Sequence, residues 1–172
     1  MVKEEKKGEI PVTIIEVIKS RRTIKKFKSD HVDQQLIKKW LDAAAMAPNH
    51  RMTEPWEIYF IGPETRGKLN HKTNFGNAPV VIAIISKQGA TVVETEENKA
   101  AVSCFIQNFM LAAWDEGVGT FWSSIGMKEG NRELMSIPED YDLLGMFGVG
   151  YPEEIPDPKP RTEIENKIKN LP

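Results

Sequence analysis

The sequence predicts an α+β fold. Three observations carry that prediction. Helix-like and strand-like hydrophobic periods follow one another in the order α-α-β-α-β-α-β-α-β. The run from Val80 to Ile85 is apolar on both faces, as a central strand must be. The segment from Thr95 to Glu116 is apolar nearly all round. A chain of 172 residues is one domain in size, and with 40% hydrophobic residues it can build a substantial core.

Taken in order, Val12 to Lys19 sets Ile14, Ile15 and Ile18 on one helical face. Asp33 to Ala47 is a stronger helix: Asp33 can cap it, Leu36, Ile37, Trp40, Leu41, Ala44 and Ala45 make its stripe, and Pro48 stops it. Trp56 to Ile61 alternates and is rich in β-formers, so it reads as a strand. Pro63 to Leu69 reads as a short helix and Pro79 to Ser86 as the central strand. Thr95 begins the longest helix and Gly117 ends it. A helix so apolar either crosses the centre of the domain or faces a second subunit. Cys104 lies in its middle among Phe and Ile, where an inert core thiol is expected. Thr120 to Ser123 reads as a short strand, Asn131 to Ser136 as a short helix and Leu143 to Val149 as the last strand. Pro152, Pro156, Pro158 and Pro160 then predict an extended tail, with a helical turn or two over Thr162 to Asn170.

Composition excludes several classes. A net charge of −2 argues against nucleic acid and membrane partners. One cysteine allows no internal disulfide and fits a cytoplasmic protein. His31, His50 and His71 show no metal-ligand spacing, so no metal site is expected. Residues 1–11 are lysine-rich, lack the apolar core of a signal peptide and read as a flexible lead-in. Gly117-Val118-Gly119 follows a helix and opens a strand, the reverse of the dinucleotide-binding order, so a helix C-cap with a tight turn is expected there. Ser123-Ser124 lack the glycines of a nucleophile elbow, and no pair of acids forms a catalytic couple. No catalytic side chain is named; if the protein is an enzyme, a cofactor carries the chemistry.

The most informative motif is Ser20-Arg21-Arg22-Thr23. Six of the ten residues from Lys19 to Lys28 are Lys or Arg and none is acidic. Arginine forks with hydroxyls are the donor set that a phosphate wants. Ile24 and Phe27 indicate that this segment packs on the body of the protein and is not a nucleic-acid-binding arm. A second motif, Ala47-Pro48-Asn49-His50-Arg51-Met52-Thr53-Glu54-Pro55-Trp56, joins a helix to a strand. A third is the Gly117-to-Trp122 turn after the long helix, and a fourth is the Lys159, Arg161 pair in the proline-rich tail.

In this order and spacing, from about Ile14 to Arg161, the four motifs resemble the FMN-dependent nitroreductase family, most of all its short members with His at the position of His50. The resemblance implies a nitroreductase-like fold: a central mixed β-sheet flanked by helices, with the long central helix at a homodimer interface and residues 152–172 closing the flavin site. It implies that Arg21, Arg22 and Thr23 hold the FMN phosphate, with Lys159 and Arg161 closing on it from the tail. Lys25 would approach the pyrimidine edge of the flavin, where a cation stabilises the reduced ring. Pro48, Asn49 and His50 would reach the ring or ribityl chain from the partner subunit, and Trp122, Ser123 and Ser124 would line its other side. Met52 and Glu54 stand where the family has amides. The implied activity is hydride transfer from NADH or NADPH through FMN to a small-molecule electron acceptor, such as a nitroaromatic or a quinone, in ping-pong order. The alternative is a non-catalytic flavin- or anion-binding module on the same basic site.

Overall fold

The elements follow the predicted order, and their ends are set by identifiable caps. In the computed structural model, which describes residues 13–128 and 130–172, helix α1 spans Ile14–Ser20. The expected lead-in over 1–11 lies outside the described residues. The Thr13 hydroxyl accepts the Glu16 N–H, and the Glu16 carboxylate accepts the Thr13 N–H at 2.7 Å, a reciprocal capping box. Only Val17 of α1 is buried; Ile14, Ile15 and Ile18 face outward. Helix α2 (Gln34–Ala44) is capped by Asp33, whose carboxylate accepts the Gln35 N–H at 2.9 Å. There follow β1 (Trp56–Phe60), α3 (Pro63–Lys68) and β2 (Val80–Lys87).

Helix α4 (Val92–Asp115) starts one turn earlier than its hydrophobic pattern suggests. Thr91 and Glu94 form a second capping box, while Thr95 sits inside the helix and bonds back to the Thr91 carbonyl. At its C-terminus Gly117 takes φ +79, its N–H reaches the Trp114 carbonyl, and the Val118 N–H reaches the Ala113 carbonyl at 2.9 Å. This is the Schellman arrangement that the glycine pair implied. Strand β3 (Gly119–Ser123), the short α5 (Asn131–Leu134) and β4 (Tyr141–Gly150) complete the body. The tail runs extended and exposed from Glu153 to Pro172, with a single 3₁₀ turn at Ile164–Lys167.

The four strands are ordered β1-β2-β4-β3 and every pair is antiparallel. Among the described residues the parallel contribution to the sheet is a bridge between Thr23 and Thr120. Ile82 and Ile84 of β2, with Phe147 and Val149 of β4, pack under α2 and α4 against Trp40, Phe105, Ile106 and Phe109. The alternate residues Val81, Ala83 and Ile85, with Met146, face the other way onto Ile24, Phe27, Leu69, Phe75 and Phe121. The sheet is thus covered on both faces, and β2 is central as its double-faced apolar run predicts.

One expectation is corrected. Cys104 is exposed, not core. Helix α4 spends Val102, Phe105, Ile106, Phe109 and Ala113 on the sheet and α2, which leaves Ser103, Cys104 and Gln107 on the opposite, exposed side. Among the described residues no helix is long and apolar enough to cross a membrane. Thr91→Ala should remove the α4 cap and lower stability by about 1 kcal/mol, read as a shift in the urea midpoint. An unchanged midpoint would show that the cap is redundant.

Candidate functional site

The basic segment is sewn to the protein by backbone bonds on both sides. Ile24 N–H reaches the Thr120 carbonyl at 3.0 Å, Phe27 N–H the Gly76 carbonyl at 3.0 Å and Lys28 N–H the Tyr151 carbonyl at 2.9 Å. Ile24 and Phe27 are buried, as their place in the sequence predicts, and Thr23, Lys25 and Lys26 are left outside. Gly119 makes this approach possible, because a Cβ there would collide with Ile24 Cγ1. Just upstream, the Trp114 indole N–H donates to Ser20 Oγ at 3.0 Å and fixes the end of α1 beside the end of α4.

Arg21 lies here within electrostatic reach of two other guanidinium groups, those of Arg22 and Arg161. Arg21 is partly buried, and burial pushes its pKa down; the charges of Arg22 and Arg161 push the same way. Arg22 donates from Nη1 to the carbonyls of Lys19 at 2.8 Å and Arg21 at 3.1 Å, and its Nε is buried without a partner. Among the described residues no carboxylate pairs with Arg21, Arg22 or Arg161. Lys159 lies exposed two residues before Arg161. Like charges collected without a counter-charge, beside an orphaned donor, fit a multiply charged anion such as a phosphate monoester.

A second group forms on one face of β3. Lys25 Nζ lies 3.8 Å from the centroid of the Phe121 ring, and Ser123 shares that face two residues on. His71, which no motif marks, completes the group: its Nε2 lies 3.1 Å from Ser123 Oγ, and its ring stacks on Phe75 and meets Phe121 edge-on. Its Nδ1 accepts the N–H groups of Phe75 at 3.0 Å and Thr73 at 3.3 Å. Burial pushes the His71 pKa down, and Lys25, Arg66 and Lys128 add to that. The loop that presents His71 holds Asn74, Phe75 and Asn77 at positive φ. Arg66 clamps it, donating to Asn74 Oδ1, the Asn74 carbonyl and the Ala78 carbonyl at 2.6 to 2.7 Å. Trp122 points to the opposite face of β3, over Gly145 and against Phe147, with 41% of its surface exposed. Ser124 is exposed at the start of the turn that follows.

Pro48, Asn49 and His50 lie elsewhere. Asn49 ties its loop together, donating to the Ala47 carbonyl at 3.2 Å and accepting the Glu54 N–H at 3.0 Å. Arg51, Met52 and Glu54 all have positive φ. The loop borders a cavity of about 250 Å³ shared with Lys87, Glu94 and Asn98, at the start of α4. The arginine group is at the other end of that 24-residue helix. At 1.5 Å per residue the two ends are roughly 36 Å apart, so one copy of the chain does not bring the two groups together.

Comparison with known proteins adds an independent line. The profile of the Nitroreductase family matches residues 18–73 and 63–151. A Bacillus subtilis (strain 168) protein bearing the name "Putative NAD(P)H nitroreductase YfhC" is 29% identical over 181 residues, covering 91% of this chain and 93% of that protein. The crystal structure of a nitroreductase-like family protein from Bacillus cereus superposes with a TM-score of 0.86 at 27% identity, covering 95% of this chain and 98% of that one. The NADPH:FMN oxidoreductase of Vibrio harveyi, solved with NAD+, shares the fold with a TM-score of 0.83 at 20% identity, over 91% of this chain and 76% of that one.

His71 also makes stability depend on pH. Its pKa is lower in the folded chain than the roughly 6.5 of an unfolded one. Between the two values the unfolded state binds more protons, so the contribution is present above about pH 6.5 and is lost as pH falls through the folded pKa. Urea unfolding of His71→Asn should therefore weaken less steeply than wild type on acidification. Equal slopes would mean that His71 does not titrate differently on folding.

Proposed function

Because the chain belongs to the nitroreductase family of oxidoreductases, we propose that it is an FMN-dependent NAD(P)H oxidoreductase acting as a homodimer. The observation that carries this reading is that Arg22 and Arg161 lie within electrostatic reach of Arg21 while no carboxylate among the described residues pairs with any of the three. The name of the Vibrio harveyi neighbour, an NADPH:FMN oxidoreductase, points the same way.

On this reading Arg21, Arg22 and the Thr23 hydroxyl hold the phosphate, and Arg161 with Lys159 closes on it from the tail. Lys25 offers positive charge to the ring, and Ser123 and Ser124 offer hydroxyls. Trp122 lies on the opposite face of β3 from Ser123, so on this reading its exposed ring is offered to a different part of the site. Pro48, Asn49 and His50 come from the second copy. When bound, FMN supplies the redox chemistry, taking hydride from NADH or NADPH and passing electrons to a nitroaromatic, quinone or similar acceptor in ping-pong order. The chain's own work is to bind, orient and bias by charge; no side chain is needed as acid or base.

Two further observations support the homodimer. The two groups of candidate residues sit at opposite ends of α4, so a second copy is what could unite them. The tail is exposed throughout and carries Ile155, Ile164, Ile168 and Leu171 outward, while α1 does the same with Ile14, Ile15 and Ile18. Apolar side chains shown so freely suit an interface.

The test is the visible spectrum of the purified protein, followed by release and identification of its chromophore and by assay of NADH and NADPH oxidation. The expected result is FMN at one per chain and oxidation of at least one nucleotide with an added acceptor. Flavin without any nucleotide oxidation would select the non-catalytic module, and a colourless protein that takes up no FMN would end the flavin reading. Arg21→Ala should weaken FMN binding by at least about tenfold, the scale of one lost charge-assisted hydrogen bond, while remaining folded. Full occupancy in that variant would put the phosphate elsewhere.

A further inference from the structure

We propose that His71 is a positioning residue that turns the Ser123 hydroxyl into an obligatory hydrogen-bond donor toward the flavin ring. This rests on the FMN reading above and concerns residues to which that reading gives no mechanism.

The argument is an accounting of protons. Backbone N–H groups can only donate. Two of them, from Phe75 and Thr73, converge on His71 Nδ1, so that nitrogen carries no hydrogen. In the neutral ring the hydrogen is then on Nε2, which donates to Ser123 Oγ at 3.1 Å. Ser123 Oγ also accepts the Ile125 N–H at 3.2 Å. A serine hydroxyl has two lone pairs and one hydrogen; both lone pairs are now engaged. Among the described residues no acceptor takes the hydrogen that remains. The hydroxyl is left as a pure donor, next to Lys25, which sits on the Phe121 ring on the same face of β3.

A half-buried donor with fixed polarity beside a cation is suited to an electron-rich acceptor edge. It favours the reduced flavin over the oxidised one, because reduction adds electron density to the ring's oxygen and nitrogen acceptors. The imidazole touches the cofactor only through Ser123. It acts by deciding which way that hydroxyl points, and its own orientation is fixed by the loop that Arg66 clamps.

The test compares the FMN-loaded wild type with Ser123→Ala, Ser123→Thr, His71→Ala and the Ser123, His71 double alanine variant. The readouts are the FMN dissociation constant and the two-electron midpoint potential. Ser123→Ala should favour the oxidised over the reduced flavin by about tenfold relative to wild type, a potential about 30 mV lower. His71→Ala should give a similar drop, the double variant no more than either alone, and Ser123→Thr, which keeps a hydroxyl, a potential near wild type. An unchanged potential in Ser123→Ala with FMN bound would overturn the proposal while leaving the flavin reading intact, and so would fully additive shifts. Failure of the wild type to bind FMN would overturn both. Should His71→Ala not fold, the ¹⁵N shifts of His71 in the wild type decide its part: a hydrogen on Nε2 supports it, and a hydrogen on Nδ1 overturns it.

Discussion

Ile24 lies against the backbone of Gly119 at a separation that no larger residue at 119 would allow. Much of the candidate site depends on that contact. It makes the segment after α1 a near-strand beside β3, with Ile24 fully buried and its neighbours Thr23 and Lys25 turned out. A run of six cations in ten residues would otherwise drift into solvent, since long charged side chains lose entropy when held. One apolar side chain, one glycine and the backbone bonds of Ile24, Phe27 and Lys28 offset that tendency. The same contact brings Lys25 over Phe121 and therefore within the field of His71.

The two faces of the sheet divide the labour. Under α2 and α4 the packing is aliphatic and aromatic, and of the candidate residues on β3 only Trp122 lies toward that face. The opposite face is covered by loops and short elements, and there the backbone takes positive φ at Asn74, Phe75 and Asn77. Strained positions of this sort persist only where neighbours hold them. Here Arg66 does so with a three-pronged set of bonds, which an ammonium could not reproduce with the same geometry. At the His71 loop, local strain and candidate function coincide over the second of the two cores.

Much of the fold was legible in the sequence because it is written in short-range patterns. Both central features, the double-faced run of β2 and the glycine stop after α4, follow from residue type and spacing alone. The start of α4 was not, because the exposed pair Val92 and Val93 hides the capping box that spans them. Cys104 was misplaced because a helix apolar nearly all round does not reveal which stripe is against the sheet. At the candidate site the arginines were legible as a cation run. His71 was not: its bond to Ser123 crosses 52 residues of chain, and its tautomer is decided by two backbone groups that only the folded loop aims at it. The separation of the Asn49 loop from the arginines was equally invisible, being a matter of helix length in space.

The uncompensated arginine cluster also has a thermodynamic side. Folding brings Arg161 within electrostatic reach of the adjacent Arg21 and Arg22, so the native state carries self-repulsion that no ion pair among the described residues relieves. Any dianion that binds the gathered cations but not the dispersed ones moves the unfolding equilibrium toward the native side by mass action. On the proposed phosphate-site reading, the melting temperature of this protein would rise with the phosphate or sulfate around it, and the choice of buffer would become part of what is measured.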